Sequence, residues 1–420
     1  MKRILFIAPH SFPIHSSESI VNAKLAFALA EQGYKLDIYS MLPNVEYPLS
    51  QTEEKLSKHS NIIVHTLKND MILERKNIFK LSTIKVILSH LYVFLRTGYI
   101  YNGIVIPYKM KNEIEKNIAK ESKFSYDVMI TRGFWTEIVA FHIKKKYGVK
   151  WVANWNDPFP GSKFPPPYGK GPDYKLPFYE EKILNQIQEL ATFHTFPSRR
   201  LRNYMLSYLH KVKKENTAVI PHMAHSALIP KSISKDSRKL RMVHAGNVTA
   251  PRNPDNFILA MHLLLECKPE YKNKIECLFI GKFSDDFVLN VHKLKMEENI
   301  ITLPPKNYFD TIEIVSKRHL SVVIEAICEE GIYLPTKVVD SIQSMVPIFC
   351  VSPQKGTQHD LVDQYKIGYY ANNESPEEIA SQLEQAIVDF ENDNLPKIDI
   401  DKLNFFENSI IEQYNDILNS

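Results

Sequence analysis

Short aliphatic and β-branched runs alternate along the chain with stretches whose apolar positions recur every three to four residues. The first run, Ile4–Ala8, predicts a buried strand. A helix is expected over about Ser19–Gln32 with Gly33 as its stop, followed by a second strand over Lys35–Tyr39. A strand, helix and strand of these lengths make parallel strands joined by a right-handed crossover. The carboxyl ends of the strands then share one edge, where ligands bind, and the loop Pro9–Ser17 lies on it. Strands at Asn61–Leu67, Tyr126–Thr131, Lys150–Trp155, His194–Pro197 and Ala218–Pro221, with helices between them, extend the pattern into one doubly wound α/β domain.

The segment His222–Lys239 is polar, proline-interrupted and without a strong period, so it reads as a linker. A second alternation follows, with strands expected at Leu240–Ala245, Ile275–Ile280, Ile300–Leu303, Leu320–Ile324, Pro347–Val351 and Gly368–Tyr370. The last segment, about Asp401–Leu418, has a helical pattern and could cap either domain. With 420 residues, two domains are the natural division. The expected architecture is α/β, with two doubly wound Rossmann-like domains over 1–225 and 226–400. A C-terminal helix over 401–420 packs back on the first.

One region departs from the alternation. Ile78–Pro107 is dense in Leu, Ile, Val and Tyr, with Lys80, Lys85 and Arg96 among them. Its apolar run Val86–Leu95, broken by Ser89 and His90, is far short of the roughly 20 residues a membrane span needs. The first expectation is a core helix covering the first sheet; the second is a helix lying on a membrane surface.

Composition narrows the class. Hydrophobic residues make up 44% and charged residues 24%, which excludes a disordered or fibrous chain. Fifty-two basic against 48 acidic side chains, a net charge of +4, is too balanced for nucleic acid as the main partner. The apolar run after Met1-Lys2-Arg3 breaks at Pro9-His10, too soon for a signal peptide, so a cytoplasmic protein is expected. Cys267, Cys277, Cys328 and Cys350 show no C-x-x-C spacing and no histidine placed as a co-ligand. They read as reduced core thiols, and no metal is expected.

Two segments carry the chemistry. In His244-Ala245-Gly246-Asn247 through Arg252-Asn253-Pro254, a strand ends in glycine, turns and opens a helix. Free N–H groups at a helix N-terminus favour phosphate, Gly246 permits close backbone approach, and the planar fork of Arg252 suits phosphate oxygens. An ordinary β-to-α turn with a solvated arginine reads the same way. In Leu334-Pro335-Thr336-Lys337 through Asp340, Pro335 suits a first helical turn, and Lys337 and Asp340 share a face at i, i+3. A carboxylate there can accept both hydroxyls of a ribose while the lysine reaches phosphate; a surface ion pair is the plainer alternative.

Together these segments resemble the second domain of the GT-B glycosyltransferases, in particular the retaining family 4 enzymes of polysaccharide and glycolipid assembly. Arg3–Pro9 and the helix Val21–Gln32 followed by Gly33-Tyr34 resemble the opening of that family, and the likeness spans nearly the whole chain. It implies two such domains facing each other across a cleft, the first on the acceptor side and the second on the donor side. Gly246, Asn247, Thr336 and Asp340 then bind a nucleotide diphosphate sugar, with Asp340 on the ribose. Arg252 and Lys337 neutralise the diphosphate, and Glu330 or Glu329 faces the sugar. Asp340 replaces the glutamate of the commonest pattern, the acidic residues before it lie further away, and Asn253 stands where many relatives carry lysine.

In the first domain, Trp151–Phe159 resembles a cleft-facing segment of the family, in which Asp157 suits sugar recognition while Trp151 reads as core. Relatives often place a histidine where this chain has Arg132-Gly133-Phe134-Trp135, and His10 is a further polar candidate for the acceptor side. The implied reaction moves a hexose from a nucleotide diphosphate sugar to a glycan or lipid-linked saccharide, with retention and without metal or other cofactor. It implies peripheral contact with the inner face of the plasma membrane. A hydrolysing nucleotide-sugar epimerase and a non-catalytic nucleotide-sugar-binding protein share these features.

Overall fold

A computed structural model describes residues 2–42, 56–68, 81–98, 104–121, 124–133, 136–230 and 238–420, with side chains of 81–83 excepted. The first domain holds a seven-stranded sheet: β1 (Arg3–Ile7), β2 (Lys35–Leu42), β3 (Ile62–Lys68), β4 (Val128–Arg132), β5 (Lys150–Asn154), β6 (Phe193–Phe196) and β7 (Thr217–Val219). Their order is β3-β2-β1-β4-β5-β6-β7, and every pairing is parallel. The second holds β8 (Leu240–Ala245), β9 (Ile275–Ile280), β10 (Ile300–Leu303), β11 (Leu320–Ile324), β12 (Ile348–Ser352) and β13 (Gly368–Asn372) in the order β10-β9-β8-β11-β12-β13. Both are doubly wound Rossmann-like sheets, each with a switch in winding direction beside its first strand, between β1 and β4 and between β8 and β11.

The helix Ser17–Glu31 shows how local chemistry sets these units. Ser16 accepts from the Ser19 backbone N–H and the Ser19 hydroxyl returns the contact to Ser16, a capping box that fixes its start. Gly33 at φ +88° ends it, with Tyr34 N–H bonding back to Leu29 O. The helix is buried nearly all round because it lies between the first sheet and the C-terminal helix Glu407–Asn419. Ile410, Ile411, Tyr414, Ile417 and Leu418 of the latter share one core with Ile4, Phe6, Ala26 and Leu29. At about 1.5–3 kcal/mol per buried side chain, those five contribute on the order of 10 kcal/mol before chain entropy. Lys2 Nζ adds a bond to Leu418 O at 2.6 Å.

Two expectations are corrected. The helix Leu81–Thr97 does not cover the first sheet with its apolar face: of its described side chains only Val93 is buried, while Ile84, Leu88, Leu91 and Leu95 are exposed. The rest of Ile78–Pro107 is described only from 104 onward. Of the four cysteines, Cys277 and Cys350 are core thiols as expected, Cys328 is half-buried, and Cys267 is exposed because it ends the helix Asp255–Cys267. The linker His222–Lys239 is described except for 231–237, and its Met223 and Ala224 are buried.

The domains close on each other. Ile332 and Tyr333 of the second join the first domain's core around Trp151 and Phe196. Ser198 Oγ bonds Ile332 O at 2.6 Å, and Arg200 bridges to Asp360 at 2.7 Å.

Candidate active site in the interdomain cleft

The carboxyl end of β8 delivers Ala245 into Gly246, whose φ is +141°. A Cβ built there would lie 2.4 Å from Lys337 Cε and 2.7 Å from Nζ, so any larger residue would have to displace the end of that lysine. The side chain of Lys337 therefore occupies the space that the glycine leaves open. Lys337 lies in the first turn of the helix Thr336–Gln343, whose start is set by Pro335. Its Nζ is 3.3 Å from His244 Nε2, and His244 Nδ1 is 3.0 Å from Val322 O. The carbonyl requires a proton on Nδ1, so Nε2 accepts from the ammonium. Burial keeps His244 neutral and, with the nearby Arg252, brings Lys337 down to about 8.

Arg252 Nε donates to Glu325 Oε1 at 3.1 Å, and its guanidinium lies 5.3 Å over the ring of Tyr168. Tyr168 comes from the first domain's proline-rich loop, and its hydroxyl donates to the same carboxylate oxygen. Glu325 follows β11 directly and is buried. Burial works against the Arg252 charge, but Glu325 and Tyr168 more than restore it and hold the guanidinium firmly protonated. The Arg252 side chain remains 39% exposed. A fixed cation and a titratable lysine thus stand at the switch edge of the second sheet, facing the first domain.

Asp340 accepts from Tyr308 OH at 2.7 Å and from Lys24 Nζ at 3.2 Å, the latter reaching across from the first domain. Thr336, half-buried, opens the same helix. Asn247 is exposed, and its Oδ1 accepts from Lys282 N at 3.0 Å, tying the turn to the loop after β9. Glu330 is not gathered with Arg252 and Lys337: its carboxylate is held 2.7 Å from Arg200 Nη1 of the first domain. The helix after the donor turn starts at Asp255, so Arg252 lies on the loop and not in a helical first turn.

On the opposing edge, Arg132 ends β4 and is buried, with its guanidinium bonded to Asn22, to Tyr414 OH at 3.2 Å and to Asn156 Oδ1 at 3.3 Å. His10 follows β1, its Nδ1 buried without a partner among the described residues, and burial lowers its pKa. Asp157 is reachable from solvent yet enclosed by the cleft, and that enclosure raises its pKa against the pull of Arg252. Phe134 and Trp135 lie outside the described residues.

Sequence reasoning missed Glu325, Lys24, Tyr168 and His244. The signal for Glu325 was available: an acid placed immediately after an all-apolar strand, at the edge where parallel sheets bind ligands. Lys24 had none, since it sits among apolar neighbours in a helix whose partner is 316 residues away.

Residues 226–396 match the family model described as glycosyl transferases group 1. No curated protein matches the sequence. Among solved structures, HepE from Anabaena in complex with UDP and glucose superposes over 100% of both chains with a TM-score of 0.64 at 13% identity. Sucrose-phosphate synthase from Thermosynechococcus elongatus gives 0.67 at 11% identity, over 100% of this chain and 98% of that one. A mutant of S. aureus TarM in complex with Fondaparinux, alpha-GlcNAc-glycerol and UDP gives 0.64 at 12% identity over 100% of both. At these identities the superpositions establish the GT-B fold, and the family model adds the class of the second domain. Residues 226–396 are thus similar to glycosyl transferases group 1, and together with the GT-B fold of the whole chain this marks the protein as a glycosyltransferase.

Proposed function

We propose that the chain transfers a hexose, with retention, from a nucleotide diphosphate sugar to a glycan or lipid-linked saccharide at a membrane surface. The observation that carries the donor half is the placement of Lys337 over Gly246 with Arg252 close enough to act on its charge, at the switch edge of the second sheet. As the glycosidic bond breaks, negative charge grows on the diphosphate. A guanidinium locked by Glu325 and Tyr168 meets that charge without reorganising. Lys337, near 8, carries its proton at neutral pH and can place it on the departing phosphate. These cations supply the role that a metal would otherwise fill, so turnover without added metal is part of the proposal. Neighbours solved with UDP and sugars support the donor class. Retention rests on the resemblance to family 4 enzymes.

The membrane half rests on the helix Leu81–Thr97. Ile84, Leu88, Leu91 and Leu95 recur at helical spacing, all at least 48% exposed, with Lys85 and Arg96 beside them. An apolar stripe with flanking cations suits the interface of an anionic bilayer. Among the described residues no helix is long and apolar enough to cross a membrane.

A thermal-shift panel of nucleotide diphosphate sugars tests the donor half, since a ligand that binds only the native state raises the melting temperature. Donor consumption with an acceptor mixture, and little without, supports transfer. Rapid consumption without acceptor identifies a hydrolysing epimerase, and stabilisation without any turnover identifies a sensor.

A further inference from the structure

A cavity of about 30 Å³ opens on the first domain's side of the cleft, lined by Glu18, Glu137, Asn154 and Asp157. Glu18 lies in the first turn of the helix Ser17–Glu31 and Glu137 in that of the helix Thr136–Tyr147, while Asn154 ends β5. Three buried oxygens in this wall accept no hydrogen bond among the described residues: Glu18 Oε1, Glu137 Oε2 and Asn154 Oδ1. Asn154 Nδ2 is engaged, donating to Thr195 Oγ1 at 2.9 Å, which fixes its Oδ1 toward the cavity side. Glu137 and Asn154 are 2% and 3% exposed, so bulk water does not satisfy them.

From this wall we infer that the acceptor carries a primary ammonium group, which docks in the cavity and donates to Glu18, Glu137 and Asn154. The inference rests on the transferase reading, since it names the acceptor of that reaction. Three acceptors without donors match a group with three donors and no lone pair. A water supplies two donors, and a hydroxyl supplies one while bringing lone pairs of its own. The size agrees as well, because the cavity holds one small group. Burial pushes Glu18 up to about 7 and Glu137 well above the carboxylate range, and the neighbouring acids Asp157 and Glu18 add to these shifts, so a cation docked between them would restore their charge. Among the described residues no group of three or more His, Cys, Asp or Glu is arranged to hold a metal ion, so this wall does not read as a cation site of that kind.

The ligand-free 420-residue chain is titrated, with and without UDP, against glucosamine, N-acetylglucosamine and glucose, and against ethanolamine and ethylene glycol as minimal probes. Each amine is expected to bind at least about ten-fold more tightly than its neutral counterparts, the scale of one charge-assisted contact set. Glu137→Gln and Glu18→Gln are expected to remove that preference while UDP still binds, which also shows that both variants fold. Equal binding of amines and neutral probes overturns the inference, as does a preference that survives in both variants. Failure of every nucleotide diphosphate sugar in the panel, and of UDP, to bind the parent protein, with the amine preference intact, overturns the donor reading and leaves the ammonium site standing.

Discussion

Lys24 Nζ of the first domain lies 3.2 Å from Asp340 Oδ1 of the second, so the carboxylate expected on the ribose is tied across the cleft before any nucleotide arrives. The lysine side chain is 2% exposed and the aspartate 19%, and the ring of Tyr308 lies 5.4 Å from the ammonium. Burial disfavours the Lys24 charge and Asp340 restores part of it. Asp340→Ala strands that ammonium and is expected to cost about 3 kcal/mol of stability, as loss of one partner of a buried pair does. Adding Lys24→Met to it should recover most of the loss. Denaturant titration of the four proteins checks this, and additive effects would show that the pair is not coupled.

Arg252→Ala is expected to lower turnover by roughly 10²–10³-fold, the scale of removing one preorganised donor at a developing oxyanion. It also leaves Glu325 buried without its cation, so the melting temperature should be recorded beside the rate. Near-normal turnover in a folded variant would falsify the donor assignment.

Gly246→Ala places a methyl group against the Lys337 ammonium and forces a φ that L residues avoid. Donor affinity is expected to fall about ten-fold or more as Lys337 is pushed aside. Gly281→Ala acts one layer down, since its Cβ would sit 2.4 Å from Gly246 O. The main loss there should be in stability, about 1–3 kcal/mol, read by thermal melting.

Lys337 sets a pH dependence in two directions. Its folded value, about 8, lies below the ordinary 10.5, so the unfolded chain holds the proton more tightly. Its burial therefore works against folding below about pH 8, and this penalty fades between there and 10.5. Diphosphate affinity moves oppositely: the proton is present below about 8 and is lost above it, so UDP should bind less tightly at pH 9 than at pH 7. Lys337→Met should flatten the UDP profile, and an unchanged profile in that variant removes the lysine from the site.

Leu88→Glu with Leu95→Glu is expected to abolish co-sedimentation with phosphatidylserine vesicles while leaving UDP binding intact, because both side chains are exposed and outside the core. Retained co-sedimentation removes this helix from the membrane face.

Strand positions were legible because a parallel sheet covered on both faces needs continuous apolar runs, and β9, β11 and β12 announce themselves that way. The donor turn was legible for a related reason: Gly246 and Pro335 act locally, through φ and a helix start. What the chain hides is pairing over distance. Arg252 with Glu325, Tyr168 with Glu325 and Lys24 with Asp340 join residues 73, 157 and 316 positions apart, and no local period marks them. Leu81–Thr97 misled for the opposite reason, since an apolar stripe states that a face avoids water without saying what covers it.

The C-terminal helix Glu407–Asn419 returns to the first domain after the whole second domain has been completed. The chain thus passes between the halves twice, once after β7 and once after β13. The two crossings run side by side, with Ala224 bridged to Phe406, so two lengths of covalent chain tether the halves at one place. A single proteolytic nick in the first crossing would leave both pieces held together by the C-terminal helix in the first domain's core.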